Sequence, residues 1–166
     1  MALAELVSAS SYGAAQTRRS MLTIVNASQS MRIMTKDQDN KPTALIVEDF
    51  DDMAVMMRRI LEEDGWTVHR AVDAKGAKEL IGRLAPPDLV TLDIFLPDAS
   101  GVDLILDVKA TPGWAQVPIV MVTAKPKDKH VNWAIKSGAN AYLVKPFKPD
   151  ELRDCVRRVA RKPARG

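Results

Sequence analysis

The 166-residue sequence predicts an α/β fold, a doubly wound parallel sheet of five strands covered by helices on both faces. Three observations carry this expectation. Short apolar runs recur along the chain, and they are continuous rather than alternating, as strands buried on both faces require. Each run is followed by a segment with helical periodicity. Gly, Pro and acidic residues punctuate the joints between them.

Each element has a local reason. TALIV (43–47) is a continuous apolar strand. The next helix carries Met53, Met56, Met57, Ile60 and Leu61 at i, i+3, i+4, i+7 and i+8, which is one face. Ala54 and Val55 are then expected on its outer side, and Gly65 after EED is its C-cap. WTVHRAV (66–72) reads as a strand, and DAKGAKELIGRLA (73–85) as a helix opened by Asp73 as N-cap and stopped by Pro86-Pro87. DLVTLDI (88–94) is a strand buried on both faces; residues 101–110 are helical; TPGWAQVP is a loop. IVMVTA (119–124) is another buried strand, 128–137 a helix closed by Gly138, AYLV (141–144) a strand. The last helix, 149–162, has Pro149 in its first turn and acids near its N-terminus. With five parallel strands the flavodoxin-like order 2-1-3-4-5 is expected, which makes strands 1 and 3 neighbours at the topological switch point where ligands bind.

Charge separates the ends from the body. The net charge is +3, but residues 1–41 hold five Lys/Arg against three acids (+2), and residues 157–166 hold five with no acid (+5). The body, 42–156, has 14 basic and 18 acidic residues (−4), so it lacks the basic face of a nucleic-acid-binding domain. A lone cysteine, Cys155, excludes an internal disulfide and fits a cytoplasmic protein. No apolar run is long enough for a membrane span. His69 and His130 lack metal-ligand spacing. The expected organisation is an N-terminal extension (1–41) with the composition of a disordered segment, a folded domain (42–162) and a short basic tail (163–166). A transit peptide is a competing reading of the extension, and Met34 a second candidate start.

At the carboxyl ends of the strands, chemistry converges. Strand 1 runs into Glu48-Asp49, strand 3 into Asp93, strand 4 into Thr123 and strand 5 into Lys145-Pro146. Each alone has an ordinary reading: a helix cap, a loop acceptor, a strand threonine, a lysine reaching water. Together they place three acids, a hydroxyl and an ammonium in one cleft. Carboxylates that close repel each other unless a cation sits among them, and this hard-oxygen set suits Mg²⁺.

Taken in order, LIVEDF, LVTLDIFLPDASGVDLI, PIVMVTA and GANAYLVKPF resemble the receiver domains of two-component response regulators, the stand-alone, chemotaxis-regulator-like kind included, over residues 43 to about 160. The spacings also fit: 44 from Asp49 to Asp93, 30 from Asp93 to Thr123, 22 from Thr123 to Lys145. The resemblance implies roles residue by residue. Asp93 is the phosphoacceptor. Asp49 is the direct Mg²⁺ ligand, with Asp93 and the backbone carbonyl of Phe95 in the same metal site and Glu48 acting through water. Thr123 binds the phosphoryl oxygen, Lys145 pairs with it and beforehand with Asp93, Tyr142 is the switch aromatic, and the Lys145–Pro146 bond is cis. Phe95 and Lys125, each two residues past a site residue, flank the phosphoryl group; Phe95 cannot orient a hydrolytic water by hydrogen bonding, which points to a long-lived phosphoryl group.

The resulting expectation is a single-domain phosphoprotein that takes a phosphoryl group from a sensor histidine kinase or a histidine phosphotransfer protein. It then signals through the surface of helix 4, strand 5 and helix 5, or passes the group on in a phosphorelay. Its partners would be a downstream protein or a phosphorylation-dependent homodimer mate, with no nucleic acid and no membrane. No enzyme activity is expected beyond catalysis of its own phosphorylation and dephosphorylation. A receiver-fold interaction module acting without phosphorylation is the competing reading, and a DNA-binding basic tail a third. Ala54 and Val55 are the expected kinase-docking surface. In helix 4, Val131, Ala134, Ile135 and Gly138 are expected to face the sheet, which puts Trp133, roughly 200° round from Val131, toward solvent as a partner anchor.

Overall fold

The structure, a computed structural model, describes residues 41–124 and 128–160, with 128–130 by backbone alone. The expectations for residues 1–40, for Lys125 and for the tail 163–166 lie outside the described residues.

Ten elements alternate without exception among the described residues: β1 (Thr43–Val47), α1 (Asp51–Glu63), β2 (Thr67–Ala71), α2 (Ala74–Ile81), β3 (Leu89–Asp93), α3 (Gly101–Ala110), β4 (Ile119–Thr123), α4 (Asp128–Lys136), β5 (Ala141–Val144) and α5 (Pro149–Val159). The sheet order is β2-β1-β3-β4-β5, every pair parallel, as expected. Each strand's alternate residues feed two separate cores. Leu45, Val47, Val90, Leu92, Ile119 and Met121 point to the face covered by α2, α3 and α4. Ala44, Ile46, Leu89, Val120 and Val122 point to the face covered by α1 and α5. Burial on both faces is why β3 and β4 read as unbroken apolar runs. Each fully buried Leu, Ile or Val there contributes roughly 1.5–3 kcal/mol.

The punctuation works as the sequence suggests. Asp73 accepts from Gly76 N at 2.6 Å and caps α2. Glu151 reaches back to Lys148 N at 2.6 Å, beside Pro149 in the first turn of α5. Gly65, at φ +88°, turns the chain out of α1 in the left-handed region that glycine tolerates. Three helices are shorter than expected: α2 stops at Ile81, where Gly82 starts a turn, α4 at Lys136 and α5 at Val159.

Two facing assignments are corrected. Ala54 is 1% exposed, not on the outer side of α1. The buried residues of α1 are Ala54, Met57, Ile60 and Leu61, while Met53 and Met56 are only half-buried. Val55 is exposed, as expected, at 61%. In α4 only Ala134 of the expected inward set is fully buried; Ile135 is 57% exposed. Trp133 is exposed as expected.

Candidate functional site

The strand order brings the predicted residues to one edge. Glu48 and Asp49 follow the last residue of β1, Asp93 ends β3, Thr123 ends β4 and Lys145 follows β5. Glu48, Asp93 and Thr123 are buried; Asp49 is exposed. A carboxylate oxygen from each of Glu48, Asp49 and Asp93 lies within 4.8 Å of the others.

Lys145 holds this cluster together. Its Nζ lies 2.5 Å from Asp93 Oδ2 and 2.6 and 2.8 Å from the two oxygens of Glu48. The Asp93 pairing is the expected one. The Glu48 pairing is additional, across 97 residues of sequence. The other oxygen of Asp93 accepts Phe95 N–H at 3.0 Å. A carboxylate at 7% exposure is therefore served on both oxygens, which offsets the cost of removing it from water. Burial raises the pKa of Glu48. Lys145 pulls the other way, while the charges of Asp93 and Asp49 push it further up. Three carboxylates against one ammonium leave the group two negative charges in excess, the charge a divalent cation neutralises. The hard-oxygen donor set fits Mg²⁺ on the same grounds.

The backbone near Asp93 is tight. Gly101 N–H donates to Ile94 O at 2.8 Å, and a Cβ on Gly101 would stand 1.9 Å from the carbonyl oxygen of Asp93. Only glycine fits at the first residue of α3. Across the cleft the Lys145–Pro146 bond is cis, as expected, and Lys145 N–H donates to Thr123 O at 2.8 Å.

Tyr142, the expected switch aromatic, lies on β5 next to the strand that ends in Thr123. The half-buried Tyr142 ring packs against the core on the α2–α4 face, and its hydroxyl is enclosed without a hydrogen-bond partner among the described residues. Burial, with the charge of Asp93 second, raises its pKa. Phe95 is exposed beside the cleft.

Sequence reasoning missed two supports. Arg70 of β2 donates to Glu48 O from Nη2 (3.1 Å) and Nε (3.3 Å). Asp98, five residues past Asp93, accepts from the N–H groups of Ala74 and Lys75 at 2.9 Å each, capping α2 from the β3–α3 loop. The available signal for Arg70 was a long cation on the strand next to β1; for Asp98 there was none, since its partners are backbone.

The pattern that defines the response regulator receiver domain matches residues 44–157. Among similar proteins, the DNA-binding response regulator MtrA of Mycolicibacterium smegmatis is 40% identical over 114 residues, covering 68% of this chain and 48% of MtrA. The sensor histidine kinase TmoS of Ectopseudomonas mendocina is 38% identical over 116 residues, 70% of this chain and 12% of TmoS. This chain thus spans half or less of either relative. A putative response regulator from Chloroflexus aurantiacus superposes with a TM-score of 0.65 at 34% identity, covering 71% of this chain and 96% of that one. The receiver domain of sensor histidine kinase PA1611 from Pseudomonas aeruginosa, with a magnesium ion coordinated in its active site cleft, gives 0.65 at 27% identity over 71% and 96% of the two chains. Strand order, clustered acids, the lysine that pairs with them and these matches lead to one conclusion: the chain belongs to the family of response regulator receiver domains of two-component signalling.

Proposed function

We propose that this protein works as a response regulator that accepts a phosphoryl group on Asp93. The observation that carries the reading is the Lys145 ammonium between Asp93 and Glu48. A half-buried lysine that bonds one oxygen of the acceptor carboxylate and leaves the cleft side lined by acids suits a carboxylate that reacts, rather than one that only caps a loop. An Asp93 oxygen attacks the phosphorus of a phosphohistidine; the P–N bond breaks, its electron pair stays on the imidazole, and an acyl phosphate forms. Glu48, Asp49, Asp93 and the carbonyl of Phe95 would hold Mg²⁺, which when bound neutralises the phosphoryl oxygens. Lys145 follows the incoming charge, and Thr123 donates its hydroxyl to a phosphoryl oxygen. Phe95 offers no group to steer water to the phosphorus, which favours a persistent phosphoryl group.

Donors in this reading are a sensor histidine kinase or a histidine phosphotransfer protein, docking near exposed Val55. Output runs through Tyr142 and the exposed Trp133, Ile135 and Val144 on α4 and β5, toward a downstream protein, a homodimer mate or a phosphorelay. The setting is cytoplasmic; among the described residues no helix is long and apolar enough to cross a membrane. The protein's own catalysis is limited to gaining and losing the phosphoryl group.

The test is intact mass after incubation with a small phosphodonor and Mg²⁺. Wild type is expected to gain about 80 Da and Asp93→Asn nothing. Labelling of the variant at the wild-type level overturns the assignment, and an unlabelled wild type favours an interaction module.

A further inference from the structure

β2 contributes no residue to the cleft, yet it controls the loop that delivers two of the acids. Glu48 stands one residue past the β1–β2 ladder, which ends at Val47 opposite Ala71. Its N–H continues the ladder to Ala71 O at 3.1 Å. Its carbonyl is taken by a side chain instead, the Arg70 guanidinium at 3.1 and 3.3 Å. The same Nη2 reaches Asp49 O at 3.5 Å and Asp51 Oδ1 at 2.7 Å. One planar group therefore ties together residues 48, 49 and 51 where the chain leaves the sheet for α1. The arginine side chain is only 19% exposed, so water competes poorly for these bonds.

We propose that Arg70 is a positioning residue for the acidic cleft, fixing the Glu48–Asp49 peptide so that both carboxylates meet Asp93 at metal-binding distance. The proposal rests on the Mg²⁺ reading above. A peptide plane held by its carbonyl sets the direction in which the next side chain leaves the backbone, and Asp49 is that next side chain. Glu48 is already held at its far end by Lys145; Arg70 holds its near end. Partners of this kind behind a metal ligand are worth 10–100-fold in metal affinity as a rule.

Charge and geometry make opposite demands, which is what makes the proposal testable. A cation beside a divalent ion repels it, so deleting the charge alone tightens binding. Deleting the fork loosens the loop and weakens binding. Arg70→Lys keeps the charge and the stem but replaces a planar fork by a point charge. Arg70→Met keeps only the stem. Titration of the full chain with Mg²⁺ alone, followed by calorimetry, is expected to show affinity roughly tenfold weaker in both variants, with thermal midpoints measured without metal to establish that each is folded. Arg70→Gln, with stem and one donor end, stands in for any variant that does not fold and is expected to fall in the same direction. Wild-type affinity in all variants overturns the proposal and reduces Arg70 to a tie between β2 and α1. Tighter binding in Arg70→Met with no change in Arg70→Lys also overturns it, leaving a bare charge effect. A wild type that binds no Mg²⁺ defeats the metal reading itself, a result distinct from the other two.

Discussion

β3 and β5 belong to one sheet and each delivers a charged residue to the same cleft, yet they are built differently. All five residues of β3 are buried, with β1 on one side and β4 on the other. β5 pairs with β4 alone, its first three residues are half-buried and Val144 is exposed. The central strand holds a short carboxylate by its backbone, fixed between two hydrogen-bonded neighbours. The edge strand leads into a lysine whose long side chain reaches back to the cleft, and it carries a tyrosine whose hydroxyl has no partner among the described residues. The difference is one of mounting: the buried carboxylate sits on a strand paired on both sides, and the lysine that reaches it comes from a strand paired on one.

Core truncation on the two strands tests this most severely. Leu92→Ala in β3 removes a fully buried side chain and is expected to cost roughly 2–5 kcal/mol. Leu143→Ala in β5, half-buried, is expected to cost about 1 kcal/mol. Equal losses in denaturant unfolding would break the comparison.

A smaller effect separates the loops that follow the strands. The N–H groups of Ala74 and Lys75 hold the Asp98 pKa below its usual value. A carboxylate with a folded pKa below its unfolded one stabilises the fold above the unfolded value and loses that contribution as pH falls through the folded one. Asp98→Ala is therefore expected to lower the thermal midpoint at pH 7, and the gap to wild type is expected to close as pH falls below the ordinary aspartate range. A gap independent of pH would mean that the charge of Asp98 is not what ties the β3–α3 loop to α2.

The smallest change is Tyr142→Phe. Because the hydroxyl is enclosed with no partner among the described residues, its removal is expected to leave stability unchanged or slightly raised, measured by the same unfolding. A loss above about 1 kcal/mol would assign the hydroxyl a partner and show the edge strand to be held as firmly as the central one.

Much of this was legible in the chain itself. Continuous apolar runs carried the strands, and the acids, threonine and lysine at their carboxyl ends carried the cleft, because the parallel topology gathers those ends. What was not legible has a common physical cause. Ala54 lies outside the strongly apolar set that marked the helix face, yet it is buried. Ile135 follows the helical period but lies outside the narrow line on which α4 touches its neighbours. The Lys145–Glu48 bond and the supports from Arg70 and Asp98 join residues distant in sequence, two of them to backbone atoms that every residue possesses. No pattern of side-chain types marks such partners.

The approach of Gly101 to the carbonyl of Asp93 has a mechanical consequence. With 1.9 Å to a hypothetical Cβ, there is no clearance between the first residue of α3 and the backbone of Asp93. Two parts without clearance move as one. The carboxylate is thus mounted on a ten-residue helix as well as on a strand, and its positional tolerance is that of the larger body.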